Sequence, residues 1–144
     1  DIYMLHSAPA EVLRHGDAIT ALDKACVNGK IGLLGVSPDD PVAATEALND
    51  PRIKVLQLPL HFGDTSYDAV IEHAWQKGVA IIAREILCGP DGLPTNTDLK
   101  NFAAQRISEM AARVDVALSL IGTTKRDHLE QAVNAAKDSR QRDN

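Results

Sequence analysis

The sequence predicts an α/β fold built on a parallel sheet, and two features of its pattern lead to that class. Short apolar runs alternate with amphipathic segments, and this strand–helix order occurs five times along the 144 residues. The runs are apolar throughout rather than at every second position, as in strands that helices cover on both faces. Such strands, joined by helices, form parallel sheets with right-handed crossovers. An open doubly wound sheet and part of a (β/α)₈ barrel both fit, and a complete barrel needs about 250 residues.

The first three strands are short, and a helical segment follows each of them; they are predicted at residues 2–5, 31–36 and 53–58. Residues 11–27 carry apolar side chains at helical spacing and end at an Asn-Gly pair, so one helix is predicted there. Asp39 or Asp40 can cap the second helix, which has Pro41 in its first turn and runs to about residue 48. The third helix is predicted at residues 66–77. Its apolar face carries Val70, Ile71, Ala74 and Trp75.

The second half of the sequence repeats the pattern. Two strands are predicted at residues 79–86 and 114–121. A loop rich in Gly and Pro lies between them at 88–96, and a last helix is predicted at 127–136. Thr97 or Asp98 begins a further helix before the fifth strand. All these elements are predicted to form one domain of residues 1–138, and the charged residues 139–144 are expected to be a frayed tail.

The composition argues against several classes of protein. A formal net charge of −5 is unsuited to a broad nucleic-acid-binding surface. Aromatic residues make up 3% of the sequence, too few for a platform that stacks bases. No apolar run approaches the roughly 18 residues of a membrane span, and no signal peptide opens the sequence. We therefore expect neither nucleic acid nor membrane as a partner.

The cysteines and histidines do not predict a metal centre. Cys26 and Cys88 are too few for a disulfide framework or a four-ligand zinc site, and we expect reduced thiols in a cytoplasmic protein. His15, His61 and His73 are too scattered along the sequence to propose as ligands, and we expect them at the surface.

The start of the sequence suggests a piece of a longer protein. Residue 1 is Asp rather than Met, and it stands at the head of an apolar strand pattern. In a separate section of sheet, residues 1–6 and 118–122 would be unpaired edges, and an apolar inner layer would meet water. Such edges and patches promote pairing between chains. We therefore expect a homodimer or a larger assembly.

Polar residues occur where each predicted strand ends, which is where α/β proteins bind ligands. They are His6 and Ser7, Gly35 and Ser37, Gln57 and His61, Arg84 and Glu85, and the run Gly122-Thr-Thr-Lys-Arg126. Together they suggest a ligand that needs amide-type hydrogen bonds and a phosphate contact. The last run leads from a strand directly into a helix and offers N–H groups, hydroxyls and cations to an anion. The alternative for this run is an ordinary capped helix start with a solvated charge pair.

Five segments of the sequence resemble successive motifs of the aldo-keto reductases, in the family's order. They are Asp1-Ile-Tyr-Met-Leu-His6, Gly29-Lys-Ile-Gly-Leu-Leu-Gly-Val-Ser37, Val55-Leu-Gln-Leu-Pro-Leu60, Ile81-Ile-Ala-Arg-Glu85 and Leu120-Ile-Gly-Thr-Thr-Lys-Arg-Asp-His-Leu-Glu130. The family folds as a (β/α)₈ barrel and reduces aldehydes and ketones with NADPH, without metal. The resemblance implies that this sequence corresponds to strands four to eight of that barrel, so the expected fold is a partial barrel of about five strand–helix units.

The resemblance also implies roles for individual residues. His6 matches the His that orients the substrate carbonyl, whereas the family's Tyr, Lys and Asp would lie on the absent first three strands. The residues matched to the cofactor fall into three groups. Ser37 and Gln57 match the residues that contact the nicotinamide carboxamide. Arg84 matches the group stacked on the nicotinamide ring. The residues that match the surroundings of the 2′-phosphate are Gly122, Thr123, Thr124, Lys125 and His128. The sequence departs from the family at Pro38, Ile86 and Gln131-Ala132.

Three functions follow as hypotheses. The first is the C-terminal part of an NADPH-dependent aldo-keto reductase, inactive alone because the proton-donating Tyr is absent. The second is a catalytically silent half-barrel that serves binding or assembly. The third is another phosphate-binding α/β enzyme whose strand ends have a similar pattern.

Overall fold

The computed structural model describes residues 1–88 and 98–140, with side chains up to residue 137, and confirms the α/β class. Strands and helices alternate along the chain in the following order: β1 Ile2–His6, α1 Ala10–His15, α2 Asp17–Val27, β2 Leu33–Ser37, α3 Pro41–Leu48, β3 Val55–Pro59, α4 Asp68–Gln76, β4 Ala80–Arg84, α5 Leu99–Ala112, β5 Leu118–Ser119 and α6 Arg126–Arg140. The predicted loop at 88–96 falls mostly in 89–97, outside the described residues, as do residues 141–144 of the predicted tail.

The five strands form one parallel sheet in the order β1-β2-β3-β4-β5. Met4 of β1 aligns with Gly35 of β2, which aligns with Val55 of β3. A doubly wound sheet reverses its strand order at a switch point, whereas a barrel adds each strand beside the preceding one. The sequential order therefore agrees with a section of a barrel.

The two largest differences between the predicted and the observed elements concern a helix and a strand. The helix expected at 11–27 is two helices, because Gly16 between them adopts a left-handed conformation with φ of 76° and its N–H donates to Val12. The fifth strand covers Leu118–Ser119 rather than 114–121. Before it, the Arg113 guanidinium donates two hydrogen bonds, of 2.8 and 2.7 Å, to the Asp115 carboxylate and closes a turn there.

Helix starts follow the predicted capping chemistry. Asp40 caps α3 by accepting a 2.9 Å hydrogen bond from the Ala43 N–H, and Pro41 begins the helix. Asp98 caps α5 by accepting from the N–H groups of Lys100 and Asn101. A short polar side chain at the residue before a helix satisfies N–H groups that have no partner within the helix. Of the alternatives at these two starts, Asp40 and Asp98 are thus the ones used.

The chain divides into two compact units, and residues 1–58 and 66–82 form the first. In this unit α3 contacts both α1 and α4, and its Ala43, Ala44 and Ala47 are buried. Val70, Ile71 and Ala74 of α4 are buried as predicted, but Trp75 is 59% exposed. Trp75 follows Ala74 directly, so it lies about 100° around the helix from that buried position.

Residues 59–65 and 83–144 form the second unit, in which α5 contacts α6. The buried side chains between helices and sheet include Ile107, Met110 and Ala132. The α6 helix continues to Arg140, beyond the predicted end at residue 136. The prediction of one domain over residues 1–138 stays a prediction.

Each unit contains one aspartate whose pKa is lowered by an arginine two residues away. Asp50 accepts hydrogen bonds from the Arg52 N–H and guanidinium, which hold the pKa of the Asp50 carboxyl below its ordinary value. The Arg113 guanidinium likewise lowers the pKa of Asp115. Each of these ion pairs lies within a short turn: the Asp50–Arg52 pair between α3 and β3, and the Arg113–Asp115 pair between α5 and β5.

Within 1–88 and 98–140, every helix is too short or too polar to cross a bilayer. The described part of the chain also holds no group of three or more His, Cys, Asp or Glu residues arranged to hold a metal ion.

Candidate functional site

In the first unit, the carboxyl ends of β1 and β2 lie side by side. His6, the last residue of β1, aligns with Ser37, the last residue of β2. Beyond it the Ser7 N–H donates a 2.9 Å hydrogen bond to the Ser37 carbonyl, and Ser7 has a left-handed φ of 52°. The His6 side chain is exposed. The turn at Ser7 thus ends β1 abruptly and leaves the imidazole accessible to solvent.

The predicted residues Ser37 and Gln57 are brought together by the pairing of β2 and β3. The Gln57 amide Nε2 donates to the Ser37 hydroxyl across 3.4 Å, and Ser37 is 2% exposed. Among the described residues it is the one polar residue that is buried. A hydroxyl beside a primary amide offers a donor and an acceptor at the end of a parallel strand pair, which suits a carboxamide ligand.

Gly35 allows the strands to approach closely below this pair. A Cβ at this position would lie 2.9 Å from the Val55 carbonyl oxygen and 3.1 Å from Met4 Cγ. The first of these atoms belongs to backbone, so it has little freedom to move away. The strand register that sets Ser37 beside Gln57 therefore depends on the absence of a side chain at residue 35.

In the second unit, Arg84 and Glu85 follow each other at the carboxyl end of β4. The Arg84 guanidinium forms an ion pair with the Glu85 carboxylate. The Arg84 carbonyl accepts a 3.0 Å hydrogen bond from the Leu60 N–H, which joins the chain after β3 to the end of β4. Glu85 has a left-handed φ of 58°, the second such value at a described residue other than glycine. The chain turns sharply there, as it does at Ser7.

His61 is not the surface residue that the sequence suggested. Its side chain is 22% exposed, and its Nε2 lies 3.6 Å from the second Glu85 oxygen, Oε2. Its Nδ1 is buried and has no hydrogen-bond partner within the described residues. The reason for the difference is that residue 61 lies directly beyond β3, where the chain still contacts the neighbouring strand end. His15 is exposed and His73 is half-buried.

Arg106 of α5 is a residue that the sequence analysis missed. Its Nε and Nη2 donate 3.3 Å hydrogen bonds to the carbonyls of Ile86 and Leu60, respectively. Its guanidinium carbon lies 6.0 Å from the centre of the Phe62 ring, and that ring meets Phe102 edge-on at 5.1 Å between centres. Arg106 thus ties together the segments that follow β3 and β4. An arginine beside Phe102 and Ile107 on an apolar helix face was the available signal.

The predicted anion-binding run, residues 122–126, lies at the start of α6 and is exposed throughout, as is His128. The Thr123 hydroxyl accepts a 3.1 Å hydrogen bond from the Lys125 N–H, and Arg126 pairs with Glu130 at 2.8 Å. The first contact forms a turn just before α6, and the second is an ion pair one helical turn apart on its surface. The first-turn N–H groups and the Lys125 side chain can still meet an anion there.

The structure thus brings some of the predicted site residues together from different strands, whereas others are neighbours only because they are close in sequence. In the first unit Ser37 and Gln57 are in contact, and His6 aligns with Ser37 at the neighbouring strand end. In the second unit Glu85 contacts both Arg84 and His61, whereas Gly122, Thr123, Thr124, Lys125 and His128 are adjacent because they are close in sequence. Neither aspartate with a lowered pKa lies among these residues.

Comparison with solved structures finds this fold among aldo-keto reductases. A Pseudomonas aeruginosa protein described as belonging to that family aligns with a TM-score of 0.80 and 18% identity, over 96% of this chain and 50% of that chain. The Bacillus halodurans aldo-keto reductase AKR11C1 in its holo form aligns with a TM-score of 0.76 and 19% identity, over 95% of this chain and 55% of that chain. Its apo form aligns with a TM-score of 0.74 over 98% and 59%, again at 19% identity.

The chain spans about half the length of the solved aldo-keto reductases that it matches. No family model and no curated protein matches its sequence. The partial (β/α)₈ barrel predicted from the sequence is therefore confirmed, and the resemblance to aldo-keto reductases is confirmed at the level of the fold.

Proposed function

We propose that this chain is the part of an NADPH-dependent aldo-keto reductase that corresponds to strands four to eight of the barrel. The observation that carries the proposal is the Ser37–Gln57 pair, a buried hydroxyl hydrogen-bonded to a primary amide at the ends of neighbouring parallel strands. In the resembling family these two positions hold the nicotinamide carboxamide. A carboxamide has N–H groups that need acceptors and a carbonyl oxygen that needs a donor. The Ser37 hydroxyl and the Gln57 amide offer both kinds of partner.

The chain's own residues have distinct tasks under this proposal. When bound, NADPH supplies a hydride to a carbonyl carbon of an aldehyde or ketone. Ser37 and Gln57 hold the carboxamide, and the exposed His6 imidazole at the adjacent strand end orients the substrate carbonyl through a hydrogen bond. In the second unit, the Arg84 guanidinium offers a flat face to the nicotinamide ring. The proton for the carbonyl oxygen comes from a Tyr outside these 144 residues, so the chain alone does not turn over.

The start of α6 is proposed to hold the 2′-phosphate of the cofactor. Gly122, Thr123 and Thr124 present backbone N–H and hydroxyl groups, and Lys125 and His128 add side chains that can carry positive charge. All five residues are exposed, so a bound phosphate there keeps part of its hydration. We expect this contact to distinguish NADPH from NADH while contributing modestly to affinity.

Titration with the reduced cofactors tests the proposal. We expect NADPH fluorescence to change on addition of the chain, with weaker binding of NADH, and no reduction of an aromatic aldehyde by the same sample. Turnover by the chain alone would contradict the assignment of the proton donor to another segment. If neither cofactor binds, the proposed roles of Ser37 and Gln57 are wrong and only the shared fold remains.

The second candidate is a catalytically silent module that assembles through its sheet edges, and the exposed apolar residues of the end strands favour it. Ile2 and Tyr3 of β1 are 44% and 53% exposed, and Leu118 of β5 is 49% exposed. Edge strands with apolar side chains tend to pair with other strands. We propose that the chain forms a homodimer or a larger assembly, which sedimentation at micromolar concentration measures. A monomer there would contradict the assembly, and cofactor binding distinguishes the reductase fragment from the silent module.

A further inference from the structure

We propose that Glu85 is a positioning residue that fixes the orientation of the Arg84 guanidinium, with His61 holding the second carboxylate oxygen of Glu85. The three residues lie in the second unit: Arg84 ends β4, Glu85 follows it, and His61 lies in the segment after β3. One oxygen of Glu85 pairs with Arg84, and the other lies 3.6 Å from His61 Nε2. The carboxylate therefore lies between two side chains, paired with Arg84 and within ion-pair distance of His61.

The backbone at Glu85 is the first observation in favour of this role. A residue with a side chain pays roughly 1 kcal/mol or more to adopt a left-handed conformation. Within the described residues, Ser7 and Glu85 do so without being glycine, and each directly follows a residue assigned to the site, His6 and Arg84. A hydrogen bond of 3.0 Å from the Cys88 N–H to the Glu85 carbonyl closes the turn. Glycine would adopt this turn without strain. What Glu85 adds in place of glycine is its carboxylate, which we therefore infer to be the reason for this residue.

Burial of the partners is the second observation. The Arg84 and His61 side chains are 19% and 22% exposed, whereas Glu85 is 45% exposed. A guanidinium with so little solvent access is stabilised by a neighbouring carboxylate. The Leu60 N–H also holds the Arg84 carbonyl, so both the main chain and the side chain of Arg84 are restrained. The planar fork of arginine keeps one orientation when one of its N–H groups is held in this way.

This inference rests on the proposed function and adds a property to it. Because the Glu85 carboxylate neutralises the Arg84 charge, Arg84 contributes an oriented flat surface rather than a net positive charge. We therefore expect Arg84 to act in nicotinamide stacking through its orientation, and Glu85 to affect cofactor affinity only through Arg84.

Hydrogen exchange of the arginine Nε–H groups, followed by NMR on the full chain without cofactor, tests the positioning. The Arg84→Lys variant assigns the Arg84 signal. In Glu85→Gln, which keeps the side-chain size and the backbone turn, exchange at Arg84 is expected to accelerate roughly two- to fivefold. Glu109→Gln is the matched control, because Glu109 is 46% exposed and pairs with Arg106 at 3.6 Å in the same unit. It should leave Arg84 unchanged. Unaltered Arg84 exchange in Glu85→Gln would overturn the positioning role.

Titration with NADP⁺ then tests the consequence for the cofactor. Glu85→Gln and Arg84→Lys should weaken affinity by similar factors, and the double variant should be no weaker than either one, because both changes remove the same oriented surface. Independent, additive losses would overturn the claim that Glu85 acts through Arg84. If the unsubstituted chain does not bind NADP⁺, the proposed function and the cofactor role of Glu85 fail together. The exchange experiment still decides the positioning itself.

Discussion

The two regions proposed to contact the cofactor are built in different ways. In the first unit, Ser37 and Gln57 come from separate strands, and Ser37 is buried and its hydroxyl accepts a hydrogen bond from Gln57. In the second unit, residues 122–128 are contiguous and exposed, and their local contacts are those of a helix start. Strand pairing thus preorganises the first region, whereas the second offers charge and N–H groups near solvent.

This difference suits the two regions to different tasks: the first to orienting the cofactor, and the second to recognising its charge. Groups held by a sheet cannot reorganise without disturbing strand register, so they suit a contact that sets geometry. Exposed groups at a helix start interact weakly and depend on salt, so they suit discrimination between cofactors rather than positioning. We therefore expect substitutions in the first region to alter both folding and binding, and those in the second to alter binding alone.

Adding one methyl group to each region gives the largest expected contrast. In Gly35→Ala the new Cβ would lie 2.9 Å from the Val55 carbonyl oxygen, so the strands must separate, and we expect a loss of roughly 1–3 kcal/mol of stability. In Gly122→Ala no atom beyond the adjacent residues lies within 4 Å, and we expect a change within about 0.5 kcal/mol.

Urea unfolding measures both glycine variants, with far-UV circular dichroism for the whole chain and Trp75 fluorescence for the first unit, since the sequence has one tryptophan. Equal stability of the two variants would remove the distinction between a preorganised and a local region.

Cofactor selectivity provides the second contrast. Gln57→Leu removes a carboxamide contact common to both cofactors, so we expect NADPH and NADH to lose affinity by a similar factor of roughly 3 to 10. Lys125→Ala removes a charge near the proposed phosphate, so NADPH should lose a few-fold more than NADH, and the effect should shrink as salt is added.

Fluorescence titration at low and high salt measures these effects. Lys137→Ala is the control for Lys125→Ala, because it removes another exposed lysine near the other end of α6. A salt-dependent loss that is the same for both cofactors would place Lys125 away from the 2′-phosphate.

The smallest expected effect concerns pH, for which the two units are alike. Asp50 and Asp115 each have a pKa lowered by hydrogen bonds from an arginine, so the folded state releases the proton more readily than the unfolded state. Each carboxylate therefore contributes stability above about pH 4, which is lost as the pH falls through the lowered pKa. Because both pairs are partly exposed, we expect about 1 kcal/mol or less from each.

Urea midpoints between pH 7 and pH 2 measure this contribution in Asp50→Asn and Asp115→Asn. Each variant should show a flatter acid limb, that is, a smaller loss of stability as the pH falls. Arg52→Met should flatten the limb as Asp50→Asn does, and an unaltered limb would show that the pair contributes nothing.

Much of the local structure was predictable because its causes lie within a few residues. The Asp40 and Asp98 caps act on N–H groups two or three residues ahead, and the parallel strands are apolar on both faces whatever their neighbours. The break at Gly16 was missed because helical periodicity continues across it. Its left-handed conformation is an option open to any glycine, which the pattern alone did not require.

The sequence by itself determined the strand–helix order, the helix caps and the set of polar residues at strand ends. The tertiary structure alone decided which of those polar residues meet: Ser37 with Gln57, and His61 with Glu85. Only the fold showed that Arg106 holds the carbonyls after β3 and β4. The physical reason is the sequence distance over which each kind of interaction acts. Propensity and capping act along the chain, whereas these contacts join residues 20 and more positions apart, brought together by strand pairing and helix packing.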